Sequence, residues 1–88
     1  MSSYDIRRTV EIKLEPLKHK LIQQKIEIKL SEPEAEALHE EIEKELGLQH
    51  SSNNCPLILA EIKRKSDDDL IALLEKIRKK RAIIAGVS

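Results

Sequence analysis

A chain of 88 residues that carries nearly the same phrase twice, VEIKLEP from Val10 to Pro16 and IEIKLSEP from Ile26 to Pro33, has few ways to use both copies. In the first, Val10, Ile12 and Leu14 alternate with Glu11 and Lys13; in the second, Ile26, Ile28 and Leu30 alternate with Glu27 and Lys29. A period of two is the signature of a half-buried strand. Antiparallel pairing with Val10 opposite Leu30, Ile12 opposite Ile28 and Leu14 opposite Ile26 sets Glu11 against Lys29, Lys13 against Glu27 and Glu15 against Lys25. Each opposite-charge pair contributes about 0.2–1 kcal/mol, whereas parallel pairing sets like charges side by side and destabilises. The repeat therefore predicts a hairpin. The same phrase is also complementary to itself: with Ile28 on a two-fold axis, Glu27 meets Lys29 of a second chain in both directions. Pairing within one chain and pairing between two both remain open.

The core available to such a chain is small. Domains of this size bury roughly 60–65% of their unfolded surface. With Tyr4 as the single aromatic residue and no Phe or Trp, burial must come from aliphatic side chains. A partner that covers further apolar surface is expected. One candidate for cover is the C-terminal stretch AIIAGV, in which Ile83, Ile84 and Val87 follow a strongly charged segment.

Sixteen basic and sixteen acidic residues cancel, which disfavours a strongly basic nucleic-acid surface. The cancellation hides three blocks: residues 1–30 carry +3 (7 minus 4), residues 31–48 carry −6 (1 minus 7) and residues 49–88 carry +3 (8 minus 5). The lone Cys55 cannot form an internal disulfide, no signal-peptide pattern opens the chain, and no apolar run approaches a membrane span. A cytoplasmic protein with no membrane association is expected.

Ser31 to Leu46 reads as a helix, with a hydroxyl cap, Pro33 and glutamates in its first turn, Ala35, Leu38, Ile42 and Leu46 on one face, and Gly47 as its stop. Ser66 followed by three aspartates opens a second helix whose stripe is Leu70, Leu73, Leu74 and Ile77. Pro16 to Gln24 is open between loop, helical turn and hairpin extension. The polar stretch QHSSNN forms a loop, and CPLILAEIKRK after it is read as a third strand, with a helix as the alternative. The expected fold is thus a small α+β domain of order β-β-α-β-α. In it a hairpin and a third strand, joined by a right-handed crossover helix, form one sheet, and two helices cover one face.

Chemistry-bearing constellations are sparse. Glu36 and His39 form a lone E-x-x-H pair, read as a solvated helix face because di-metal carboxylate sites need further ligands. His50 and Cys55 lack the third group of a nucleophilic dyad, and two glycines do not make a phosphate-cradling loop. No catalytic residue, metal or cofactor is expected.

The segment Lys25 to Leu48 resembles the first half of a ribbon-helix-helix DNA-binding protein, in which an alternating strand leads into an amphipathic helix ended by Gly and an apolar residue. The resemblance implies a ribbon formed by two chains in the major groove, with Lys25, Glu27 and Lys29 toward the bases. The basic run Arg78, Lys79, Lys80 and Arg81 is the other residue set such a reading offers. The delay imposed by QHSSNNCP before a second helix departs from the family's pattern.

The leading expectation is a non-enzymatic interaction module acting as a homo-oligomer, held through Ile26, Ile28, Leu30, Ile83, Ile84 and Val87, with another protein as a further partner class. DNA binding is the alternative.

Overall fold

A computed structural model describes the backbone of residues 2–86 and the side chains of residues 4–80. It contains five α-helices: α1 (Ser2–Leu14), α2 (Lys18–Gln23), α3 (Glu32–Leu46), α4 (Cys55–Arg64) and α5 (Asp67–Gly86). Single 3₁₀ turns at Glu15–Leu17 and Ser52–Asn54 lead into α2 and α4. No strand occurs among the described residues, so the α+β expectation, with its hairpin, third strand and crossover, is overturned in favour of a helical bundle. α3 is its centre, packed against α1, α4 and α5, while α1 also packs on α4.

The two copies of the repeated phrase adopt different conformations. Val10 to Leu14 completes α1, where Val10 and Leu14 are fully buried and Ile12 is 62% exposed on the opposite side. The stripe that decides this runs Ile6, Val10, Leu14, a spacing of four visible only when the window reaches back beyond the phrase. The second copy is extended. Ile28 and Leu30 are buried and Ile26 half-buried, while Glu27 and Lys29 face solvent, so the period of two is real but no partner strand accompanies it.

Helix stop and start signals confine that second copy. α2 ends in a Schellman motif, with the Lys25 amide donating to the Ile22 carbonyl at 2.9 Å and the Ile26 amide to the Leu21 carbonyl at 2.8 Å. Lys25 there takes a left-handed φ of 61°. Six residues later Ser31 caps α3 in a capping box: the Glu34 amide donates to Ser31 Oγ at 3.3 Å, and the Ser31 amide to Glu34 Oε1 at 2.9 Å. The intervening residues are too few to form a stable helix of their own.

α4 corrects the third-strand reading. Pro56 stands in the first turn of the helix, where its missing N–H breaks no hydrogen bond. Ile58 and Ile62 are buried while Leu57 is 52% exposed, a helical rather than a two-residue period. α5 has its expected stripe: Leu70, Leu73, Leu74 and Ile77 are all buried. On α3, Ala35, Leu38 and Ile42 are buried as expected, but Leu46 near the helix end is largely exposed.

The charge blocks meet inside the chain. Glu34 accepts from Arg78 Nε at 3.0 Å, Glu41 pairs with Lys76 at 2.9 Å and Lys80 at 3.5 Å, and Glu45 pairs with Lys65 at 2.7 Å. The acidic central helix is thus bound to cations of α5 and of the α4–α5 junction. Lys76, and then burial offset by Lys80, leave the Glu41 carboxyl below its ordinary value.

α3 ends as α2 does, with Gly47 at φ 70°, its amide donating to the Lys44 carbonyl at 3.2 Å and the Leu48 amide to the Glu43 carbonyl at 2.9 Å. Nothing lies within 4 Å of where a Cβ on Gly47 would stand, so the glycine is required by backbone conformation alone. Gly47→Ala is therefore expected to cost about 1 kcal/mol, and Lys25→Gly to stabilise by about 0.5–1 kcal/mol, in urea unfolding of the two variants. Equal and small effects at both positions would contradict the left-handed assignments.

Candidate functional site

The C-terminal half of α3 presents His39 and Glu43 one turn apart, each directly following a stripe residue, Leu38 or Ile42. Both lie on the inner edge of the helix and are buried, at 5% and 2% exposure. A carboxylate in such a place must be fully hydrogen-bonded or it destabilises the fold. Glu43 is. Its Oε2 accepts from the Ser51 amide at 2.9 Å, from Asn54 Nδ2 at 2.8 Å and from His39 Nε2 at 2.9 Å, while its Oε1 accepts from His50 Nδ1 at 2.7 Å.

Three of these donors come from the loop between α3 and α4. The loop also closes on itself, with Asn54 Nδ2 donating to the Gln49 carbonyl at 2.7 Å and the Asn53 amide to Ser51 Oγ at 3.1 Å. His39 Nε2 additionally lies 3.1 Å from the Ser51 carbonyl. The two imidazoles stand edge to face, 5.7 Å between ring centres and 83° between planes. They border a cavity of about 270 Å³ whose wall includes Glu36, Glu40 and Ser52.

Burial pushes the Glu43 carboxyl up. The bonds from His50, the Ser51 amide, Asn54 and His39 outweigh it and hold the group at about 2 instead of 4.5. His50 moves the other way: its bond to Glu43 and the attraction of that charge, with Glu40 and Glu36 adding, raise the ring above its ordinary 6.5.

The residues singled out by sequence are placed as follows. His39 is buried, not on a solvated face, because it turns inward to Glu43; Glu36 remains exposed. His50 Nδ1 is bonded to Glu43, so it is not aimed at a thiol, and burial together with Asp5 raises the Cys55 thiol above its ordinary value, away from the nucleophilic thiolate.

Ile28 and Leu30 belong to the chain's own core and Ile26 packs on it, so the strand edge expected to join two chains does not form. The side chains of Ile83 and Ile84, and Val87 altogether, lie outside the described residues, as does the side chain of Arg81. Lys25 and Lys29 are exposed on the α2–α3 connection. Arg78 bonds Glu34 and, at 3.1 Å, the Lys29 carbonyl; Lys80 approaches Glu41; Lys79 is exposed. The ribbon that the DNA-binding resemblance requires is absent among the described residues.

Glu43, Ser51 and Asn54 escaped the sequence reading. The available signal was a glutamate at a core-edge position four residues after a histidine.

Because the folded pKa of Glu43 is depressed, the stability it contributes is present above pH 4.5 and lost as pH falls through about 2. Because that of His50 is raised, its contribution is full below pH 6.5 and lost as pH rises through the raised value. The cluster should therefore stabilise most between those limits. Glu43→Gln is expected to cost about 2–4 kcal/mol at pH 5.5 by denaturant unfolding, and to flatten the pH profile on both sides. A cost under 1 kcal/mol with an unchanged profile would contradict this geometry. No protein-family model, curated protein or solved structure matches the chain, so the functional reading rests on this geometry.

Proposed function

We propose that the chain is a non-enzymatic interaction module that assembles with copies of itself through the outer faces of α1 and α4. The observation that carries this reading is an exposed apolar strip where those helices meet. Ile12 stands clear of the core, and Leu59 is half-buried beside it in one groove. Each large aliphatic side chain left in water forgoes roughly 1.5–3 kcal/mol of burial. A second copy would recover part of that.

Charge selects the occupant. The rim of the strip carries Asp5, Glu11 and Glu15 against Arg8, Lys13 and Lys63, three of each sign. A surface with balanced, interleaved charges can face its own copy across a two-fold axis without net repulsion and offers no advantage to a strongly acidic or basic partner. Part of the larger single-sign blocks is already paired between α3 and its neighbours, through Glu34, Glu41 and Glu45.

Three features support the non-enzymatic part: the occupied hydrogen-bonding capacity of Glu43, the protonated thiol of Cys55, and the bonding of His50 to a carboxylate. No helix of the described residues is long and apolar enough to cross a membrane.

Sedimentation velocity across a concentration series tests the proposal. The chain is expected to sediment as a dimer or larger species at micromolar concentration. Ile12→Lys, at an exposed position, is expected to give a monomer with unchanged helix content. A full-length monomer at high micromolar concentration overturns the assembly. An Ile12→Lys oligomer that dissociates only when residues 82–88 are deleted overturns the assigned face.

A further inference from the structure

Two imidazoles and a carboxylate from two segments of chain converge at the C-terminal half of α3, and the residues that hold them do so from behind. We propose that His39, Glu43 and His50 form a binding site for a zinc(II) ion, with the fourth coordination position open to the cavity beside α3. This is independent of the assembly surface on α1 and α4.

The distances are close to those a metal needs. One ligand atom from each of the three residues lies within 4.8 Å of the others. Bonds of about 2.0–2.1 Å in a tetrahedral site place ligand atoms roughly 3.4 Å apart. His39 Nε2 and His50 Nδ1 are already 2.9 and 2.7 Å from the two Glu43 oxygens. The closing movement belongs to His50, whose side chain is 71% exposed and tethered by its bond to Glu43. The ring separation fits as well: two imidazoles on one tetrahedral zinc place their centres about 5 Å apart, against 5.7 Å here.

The hydrogen-bonded cluster is the protonated counterpart of such a site. Protons on His39 Nε2 and His50 Nδ1 now lie between each ring and the carboxylate. Zinc takes their place: each ligating nitrogen presents its lone pair while the ring keeps a proton on its other nitrogen, a neutral ring by tautomer shift and an imidazolium by releasing one proton to water, and Glu43 stays ionised. Glu43 Oε1 becomes the ligand oxygen. Oε2 keeps the Ser51 amide and Asn54 Nδ2 as donors, the kind of outer support that orients a ligating carboxylate.

Two nitrogens in the set favour zinc over magnesium or calcium, which take oxygen ligands. The cavity between His39 and His50, of about 270 Å³, has room for a water in the fourth position. Three protein ligands leave one position to water, so the ion is reached from solvent, whereas purely structural sites are closed by four.

The test is calorimetric titration of chelator-stripped full-length protein with zinc chloride, with the histidine ring resonances followed by NMR. One zinc per chain is expected, with the His39 and His50 resonances shifting and those of His19, on α2, unmoved. His50→Ala, at an exposed ring, should retain the helical circular dichroism and bind at least ~10-fold more weakly; Asn54→Ala should bind ~10-fold more weakly with all three ligands intact. Cys55→Ser and His19→Ala should bind as the parent does, and millimolar magnesium should not compete. Absence of saturable binding at high micromolar zinc, equal affinity in His50→Ala, or loss of binding in Cys55→Ser would each overturn the site.

Discussion

The buried carboxylate of Glu43 is the interaction on which the arrangement of this bundle turns. The loop from Gln49 to Asn54 has no apolar side chain, so hydrophobic burial cannot hold it against the bundle. Its position comes from polar contacts alone, and three of them end on one side chain: the Ser51 amide, Asn54 Nδ2 and His50 Nδ1 all donate to Glu43. Fixing that loop fixes where the Ser52–Asn54 turn delivers the chain, and hence where α4 starts and which of its sides reaches α1 and α3. A glutamate in this position would be destabilising if any donor were lost, so the loop and the carboxylate each depend on the other.

The same logic explains the charge blocks. Seven glutamates on or beside one short helix repel one another in isolation, and the favourable helix dipole reaches only those in the first turn. Folding brings Arg78, Lys76, Lys80 and Lys65 against Glu34, Glu41 and Glu45. Partners so far apart in sequence meet in the unfolded chain only at a loop-closure entropy cost, so these pairs favour the helix arrangement that opposes the basic second half of α5 to an acidic α3. Each is worth little singly at a partly exposed position. Their joint effect is on which helices become neighbours.

What the sequence showed of the fold followed the reach of its signals. Ser31 with Glu34, Gly47, and Ser66 before three aspartates mark helix ends through local hydrogen bonds and backbone conformation, and those ends lie where they were expected. The repeated phrase misled because five residues, Val10 to Leu14, satisfy a period of two and a spacing of four equally well; Ile6, outside the phrase, breaks the tie. Pro56 is compatible with the start of a strand and equally with the first turn of a helix, so it could not decide between the two readings of CPLILAEIKRK. The site was legible in part. His39 and His50 were noticed, but with the wrong companions, because Glu43 joins them through a loop closure that no fixed spacing encodes.

A core made only of aliphatic side chains also sets what else the chain must supply. Among the described residues fifteen buried apolar side chains form one cluster, small for a domain that orders five helices. Domains this size commonly add a staple, a disulfide or a metal, and Cys55 alone cannot supply the first. Here the hydrogen-bonded Glu43 cluster occupies the place of a staple, joining α3 to the segment that leads into α4. A zinc ion taken up between the two rings and Glu43 would strengthen a connection that already exists, so its effect would be graded by metal concentration instead of deciding whether the chain folds. Under the zinc proposal, a small bundle held in this way would respond to the metal without depending on it.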